Sequence, residues 1–143
     1  MSLVHAVSCL CRTEPAAALA LLSQAAGLAR WNLGLWHTQE VAPGLLAGRS
    51  LFGGAAGQVQ VQVDAQRGTV GYAVGATPAA RQLRIEARVQ PAVELGYAPG
   101  LCLVSLLAWR PADMDDGRWQ RLQAAHAVEI ELIRSCLESA DPA

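Results

Sequence analysis

The sequence has no lysine, and charged residues make up only 16% of its 143 positions. Its 11 basic residues are all arginines, which run from Arg12 to Arg134 without forming a cluster, and the formal net charge is −1. A nucleic-acid surface depends on clustered positive charge, so the sequence gives no support for a nucleic-acid partner. Hydrophobic residues make up 52% of the chain, which argues against charge-driven disorder and for a sizeable core.

Targeting and membrane signals are also lacking. No basic cluster follows Met1, and the apolar stretch 15–29 is too short to span a bilayer. We therefore expect a cytoplasmic protein without membrane insertion. A length of 143 residues suits one domain, and we predict a single domain over residues 1–143.

Signatures of metal, cofactor and hydrolase sites are missing as well. The three histidines have no i,i+4 partner of ligand character, and no serine lies in a nucleophile-elbow context. We predict no metal and no cofactor. We interpret the cysteines as small buried hydrophobes in a reducing compartment. They are Cys9, Cys11, Cys102 and Cys136.

Apolar periodicity divides the chain into a strand, a helical pair, a series of strands and a final helix. Residues 3–12 show no helical period and predict a strand, whereas the Ala- and Leu-rich segment 15–30, interrupted at Ser23, Gln24 and Gly27, predicts two short helices. After residue 32 the period changes to two, with turn residues at regular intervals. The predicted strands are 33–41, 46–52, 58–64, 69–75, 82–91 and 101–109.

Two of these strands predict which residues point inward. In 58–64 every second residue is valine and the others are polar, so Val59, Val61 and Val63 are expected on the buried face. The same rule applied to 82–91 selects Leu83, Ile85, Ala87 and Val89. The strand 101–109 is apolar on both faces, which predicts a position inside the sheet.

Aspartates at 113, 115 and 116 predict the start of a helix that continues to about Ser139. Such a helix has about 24 residues and is about 36 Å long, enough to cross the sheet. One stripe of it is apolar, apart from a histidine. The stripe consists of Trp119, Leu122, His126, Ile130, Ile133 and Leu137.

This order of elements resembles the START or polyketide cyclase/dehydrase superfamily (SRPBCC), whose α+β fold is called helix-grip. The resemblance covers nearly the whole chain and includes Pro15 opening a helix, Trp31 closing the helical pair, Gly48 in the second strand of the meander, and Trp-Arg-Pro at 109–111 before the last helix. It implies a seven-stranded curved antiparallel sheet around the long C-terminal helix, with two short helices after the first strand. It also implies a cavity for lipids, polyketides, quinones or other largely apolar molecules.

His126 is the candidate catalytic residue, because it lies near the centre of the apolar stripe and should face the cavity. A partly buried neutral imidazole there is available to orient a ligand or to accept a proton near neutral pH. The alternative is a core histidine bonded to a backbone carbonyl or to Tyr72. Glu129, three residues on, is either a hydrogen-bond partner of His126 or part of a solvated helix flank.

Further candidates for ligand contact are polar or aromatic residues expected on the cavity wall. Arg49 either points inward to hold a carboxylate or enolate, or points outward into solvent. His37 and Glu40 are at odd spacing, so at most one of them lines the cavity. The predicted ligand-binding set is Arg49, Tyr72, Ser105, Trp109, Trp119, His126 and Ile130.

Three functions follow from these expectations. The first is binding of a small, mainly apolar molecule by a bacterial-type polyketide cyclase- or dehydrase-like domain, with His126 as acid or base and Tyr72 or Arg49 binding an oxygen. The second is a non-catalytic lipid or quinone carrier or sensor. The third is a dimeric interaction module that uses an exposed strand edge or apolar patch. Whether the protein is an enzyme is left open by the sequence.

Overall fold

The structure is a computed structural model that describes residues 2–139. Its seven strands and three helices follow the predicted order, with short 3-10 turns at Pro78–Ala80 and Ala92–Leu95. In chain order the elements are β1 (Val4–Arg12), α1 (Pro15–Ser23), α2 (Ala25–Trp31), β2 (Leu35–Ala42), β3 (Leu45–Ser50), β4 (Ala56–Asp64), β5 (Thr69–Val74), β6 (Gln82–Pro91), β7 (Leu101–Trp109) and α3 (Asp116–Glu138).

All seven strands form one antiparallel sheet in the order β1-β7-β6-β5-β4-β3-β2. The strands β2 to β7 are a meander in which each pairs with the next, and β1 joins the far side of β7. The predicted interior position of β7 is confirmed, because β1 and β6 flank it. With α3 packed against β1 and α2, this is the predicted α+β helix-grip architecture.

The helical pair is held at the C-terminal end of α1, whose last carbonyl groups have no partner within the helix. The indole Nε1 of Trp31 donates to the Leu21 carbonyl at 3.1 Å, and the hydroxyl of Tyr72 donates to the Leu22 carbonyl at 2.6 Å. The helices cross so closely at Gly27 that a Cβ there would collide with the backbone of Leu21. These contacts fix α1 and α2 over one end of the sheet.

The start of α3 is fixed by the predicted acidic residues. The Asp115 side chain caps the helix by accepting from the Arg118 backbone N–H at 2.7 Å. The guanidinium of Arg110, just after β7, contacts Asp116 at 2.7 Å and the Met114 carbonyl at 2.8 Å. From this start α3 runs beneath the sheet, with Ile133 fully buried in the core.

Two residues predicted to point inward are instead about half exposed, Val63 and Leu83. Val63 lies beyond the end of β3, whose pairing with β4 stops at Gln60, so no neighbouring strand covers it on that side. Leu83 is displaced by a bulge in β6: Tyr72 pairs with Ile85 while the next residue of β5 pairs with Leu83. The extra residue reverses the alternation and sends Leu83 to the convex face.

Candidate functional site

A cavity of about 580 Å³ lies between the concave face of the sheet, α2 and α3. Volumes of this size are typical of sites for small molecules. Most of its wall is apolar and comes from α2 and from strands β2, β4, β5, β6 and β7. Representative wall residues are Trp31, Leu35, Val59, Val74, Ile85 and Leu106.

One stripe of α3 forms the helical side of the cavity. Five residues of α3 line the cavity, and successive members are four, three, one and three positions apart, which keeps them on one face of the helix. They are Arg118, Leu122, Ala125, His126 and Glu129. The polar members of this stripe are thus presented to the same hollow.

His126 and Glu129 form a buried pair on this stripe, only 2% and 5% exposed. The Nε2 of His126 lies 3.9 Å from Oε1 of Glu129, and the other carboxylate oxygen accepts from the Leu33 backbone N–H at 3.0 Å. Within residues 2–139 the Nδ1 of His126 is buried without a hydrogen-bond partner. Glu129 is therefore no solvated flank, and the hydroxyl of Tyr72 bonds the helical pair rather than His126.

Burial shifts the pKa of both groups in the direction that favours their neutral forms. It lowers the pKa of His126 to about 4, with a further contribution from nearby His5. Burial raises the pKa of Glu129 to about 7, although the hydrogen bond from Leu33 opposes this shift. At neutral pH the imidazole is uncharged and the carboxyl group is about half ionised, so Glu129 is able to accept or donate a proton there.

His5 of β1 is a neighbour of this pair that the sequence pattern did not select. Its ring centroid lies 5.8 Å from that of His126, with the planes inclined at 51°. Burial lowers the pKa of His5, and its Nδ1 is also buried without a partner in the part of the chain that the structure describes. Two neutral imidazoles and one carboxyl group thus meet where β1 approaches α3.

Tyr72 and Trp109, two members of the predicted ligand-binding set, both line the cavity. The hydroxyl of Tyr72 is, however, bonded to Leu22, and burial raises its pKa well above the ordinary value. Its ring lies edge-on to Trp31, with centroids 6.0 Å apart. Tyr72 therefore offers the cavity an aromatic wall, and its polar atom holds the helical pair.

Four members of the predicted ligand-binding set do not line the cavity: Arg49, Ser105, Trp119 and Ile130. The exposed Arg49 donates to the Gly54 carbonyl at 3.0 Å, so it closes the β3–β4 turn. Ser105 lies on the convex face, because its neighbours Val104 and Leu106 are the buried ones.

The two corrections on α3 have a different cause. Trp119 and Ile130 are buried, but they lie to one side of the stripe that faces the cavity. Ile130 belongs to the packed core, and its backbone carbonyl is 3.8 Å from the Cys9 thiol. His37 and Glu40 are both exposed on β2, so neither reaches the cavity.

Two arginines that the sequence pattern did not select line the cavity, Arg84 and Arg118. Arg84 is the extra residue of the β6 bulge, which a strict alternation cannot anticipate. Arg118 lies one turn before Leu122, so extending the cavity stripe toward the helix start would have found it. Both side chains are half-buried.

Three of the four cysteines are buried, whereas Cys136 is only partly buried. Cys9, Cys11 and Cys102 are buried, all four cysteines are free, and the sulfur atoms of Cys9 and Cys11 are 3.2 Å apart. Burial raises the pKa of Cys102 to about 11, which keeps this thiol protonated at neutral pH. Among residues 2–139 no group of three or more His, Cys, Asp or Glu side chains is placed to hold a metal.

Solved structures with this architecture include members of the predicted superfamily. The chain is similar to the Aha1 dimer from Colwellia psychrerythraea (TM-score 0.68, 15% identity, 96% of this chain and 97% of that one). It is also similar to a START superfamily protein from Mycobacterium smegmatis (TM-score 0.62, 12% identity, 94% of each chain covered). A third similar structure is the di-domain ARO/CYC protein BexL of the BE-7585A biosynthetic pathway (TM-score 0.65, 16% identity, 94% of this chain and 45% of that one covered).

These likenesses establish the fold class: the chain has a START-like helix-grip fold. No protein-family model and no curated protein matches the sequence itself. No helix in residues 2–139 combines the length and the hydropathy needed to cross a membrane.

Proposed function

We propose that this protein binds a small, largely apolar molecule in the cavity between the sheet and α3. The observation that carries the proposal is the cavity itself, about 580 Å³ of space with an apolar wall and a few polar groups. Sites of this composition bind by burying an apolar body, and they orient the ligand through their polar points. The START superfamily and ARO/CYC neighbours share the architecture that encloses this space.

Cyclase- or dehydratase-like chemistry at the same site would use the buried pair on α3. The sequence favoured His126 as the acid or base, but a pKa of about 4 makes the imidazole a weak base. Glu129, with a pKa of about 7, is better matched to proton transfer near neutral pH. We propose Glu129 as the proton-transfer group, with His126 as the neutral hydrogen-bond partner that orients it or the ligand.

A non-catalytic carrier or sensor is the second candidate function. The positions of the two residues that were predicted to bind an oxygen favour it. Arg49 faces solvent, and the Tyr72 hydroxyl is bonded to the Leu22 carbonyl, so neither is available to stabilise a reacting oxygen. Native mass spectrometry of the purified protein separates the two candidates. A carrier retains a copurifying small molecule, whereas an enzyme releases its product and turns over added substrates.

Binding is tested with the neutral fluorescent probe N-phenylnaphthylamine. We expect one probe per chain, and we expect Ala125→Phe to weaken binding by at least about tenfold, or 1.4 kcal/mol, because the new ring occupies the cavity. Ala124→Phe is the matched control, since Ala124 is exposed on the same helix. Equal affinity of both variants and the unmodified protein would show that the probe does not bind in the cavity.

Two further assignments belong to the same proposal. All four cysteines are free thiols, which supports a reducing compartment and hence the cytoplasm. A homodimer through the edge strand β2 is supported by Trp36 and Val41, which are about half exposed there. Sedimentation velocity tests the dimer, and a strict monomer at high protein concentration contradicts it.

A further inference from the structure

We propose that the ligand of this cavity carries an acidic headgroup, such as a carboxylate or a sulfonate, held by Arg84 and Arg118. This inference rests on the proposed function, since it requires the cavity to be a ligand site. It adds what the apolar wall alone does not specify, namely the charge and the hydrogen-bonding character of the ligand's polar end.

The first observation is that Arg84 lines the cavity without a carboxylate partner. The bulge in β6 turns this side chain to the concave side of the sheet, where a regular strand would have pointed it outward. No hydrogen bond or ion pair to any residue in the range 2–139 holds its guanidinium group. A half-buried cation with unused donors favours an anion that supplies acceptor oxygens.

The second observation concerns Arg118, on the opposite wall. Its guanidinium carbon lies 4.7 Å from the centroid of the Phe52 ring, a cation–π contact that fixes the side chain without neutralising it. Its Nε is buried and has no acceptor among the described residues. The carboxylate of Asp115 accepts from the backbone N–H of Arg118, and no ion pair within residues 2–139 joins it to the guanidinium group. The positive side chain is thus positioned but unsatisfied.

Four of the nine other arginines form ion pairs with carboxylates among the described residues. Every arginine that forms an ion pair with a carboxylate among residues 2–139 lies outside the cavity lining. They are Arg12, Arg67, Arg110 and Arg134. The cavity is therefore where unpaired guanidinium groups and a concave apolar surface occur together.

The acidic groups of the lining form no ion pair with either arginine in the part of the chain that the structure describes. Asp113 and Asp115 are exposed at the rim, and Asp115 is engaged as the helix cap. Glu129 already accepts from Leu33, and burial raises its pKa to about 7. The guanidinium groups of Arg84 and Arg118 thus keep N–H donors without a carboxylate partner among the described residues, which an oxyanion complements.

The test compares two probes that share one aromatic body, neutral N-phenylnaphthylamine and anionic anilinonaphthalene sulfonate. Arg84→Met and Arg118→Met are each expected to raise the dissociation constant of the sulfonate by about tenfold, the usual effect of losing a hydrogen bond to a charged group. The neutral probe should change by less than about twofold in the same variants. Arg88→Met is the matched control, because Arg88 is exposed on the same strand and lies outside this cavity.

Each outcome separates the inference from the proposed function. If neither probe binds the unmodified protein, the proposed function and the acidic headgroup are both refuted. If the neutral probe binds once per chain while the sulfonate affinity is the same in the unmodified protein and both variants, the acidic headgroup is refuted and the apolar site stands. If a methionine variant does not fold, the salt dependence of binding to the unmodified protein replaces it as the test. Added sodium chloride should then weaken binding of the sulfonate probe and leave binding of the neutral probe unchanged. Equal salt responses of the two probes refute the inference.

Discussion

Replacing Glu129 by glutamine should make the folded protein more stable at alkaline pH and leave it nearly unchanged at acidic pH. The side chain is 5% exposed and accepts a hydrogen bond from Leu33, which the carbonyl oxygen of glutamine can also accept. What the substitution removes is the ability to ionise. It therefore isolates the free energy of burying a carboxylate at this position.

The magnitude follows from the pKa of Glu129, which burial raises from 4.5 to about 7. Between these values the folded protein keeps the proton while the unfolded chain releases it, so the free energy of unfolding falls as pH rises. The loss is complete above the folded pKa and amounts to about 3 kcal/mol, at 1.36 kcal/mol per tenfold change. The variant lacks this loss, so its advantage should be about 1 kcal/mol at pH 5, where the unfolded carboxyl group has begun to ionise, and about 3 kcal/mol at pH 8.

Urea unfolding at the two pH values measures the difference directly. His126, whose pKa burial lowers to about 4, makes stability change in the opposite direction, but it does so in both proteins and cancels in the comparison. Glu131→Gln is the control, because Glu131 is exposed on the same helix and pairs with Arg134. It should change stability by less than about 1 kcal/mol at either pH. An advantage of Glu129→Gln that is the same at pH 5 and pH 8 would refute the reasoning.

Two further changes test how the helical pair is held over the sheet. Tyr72→Phe removes the donor to the buried Leu22 carbonyl and should lower the free energy of unfolding by about 1–3 kcal/mol in urea titrations, and no change would show that the bond contributes nothing. Gly27→Ala places a Cβ against the backbone of Leu21 and should lower the melting temperature, whereas Gly53→Ala, which meets no atom within 4 Å, should not. Equal melting temperatures of these two variants would contradict the close crossing of α1 and α2.

Backbone elements could be predicted well from the sequence because their signals are local. The bounds of β6 and β7 agree with the predicted ranges 82–91 and 101–109, and α3 starts at the predicted acidic residues. Turn residues and caps act within a few positions, and the change of period from helix to strand is visible in single segments. The order of these elements was then specific enough to indicate the helix-grip fold.

The cavity lining was predicted less well, because it depends on which face a residue takes. In β7 both faces are apolar, so the alternation could not show that Ser105 lies on the convex side. In β6 a single bulge reversed the alternation, which moved Leu83 outward and brought Arg84 to the cavity. Glu129 lies at the margin of the apolar stripe. It is covered by the segment that follows α2, where the Leu33 backbone N–H donates to its carboxylate. Such contacts between distant segments leave no local pattern.

The measurement that tests the account most directly is an NMR titration of the labelled protein with N-phenylnaphthylamine, followed through backbone amide signals. A ligand site in the cavity predicts saturable shifts that are largest at cavity residues such as Gly57, Ala125 and His126, with little change at Leu103 on the convex face. Shifts that are confined to the convex face, or that never saturate, would contradict a ligand site between the sheet and α3.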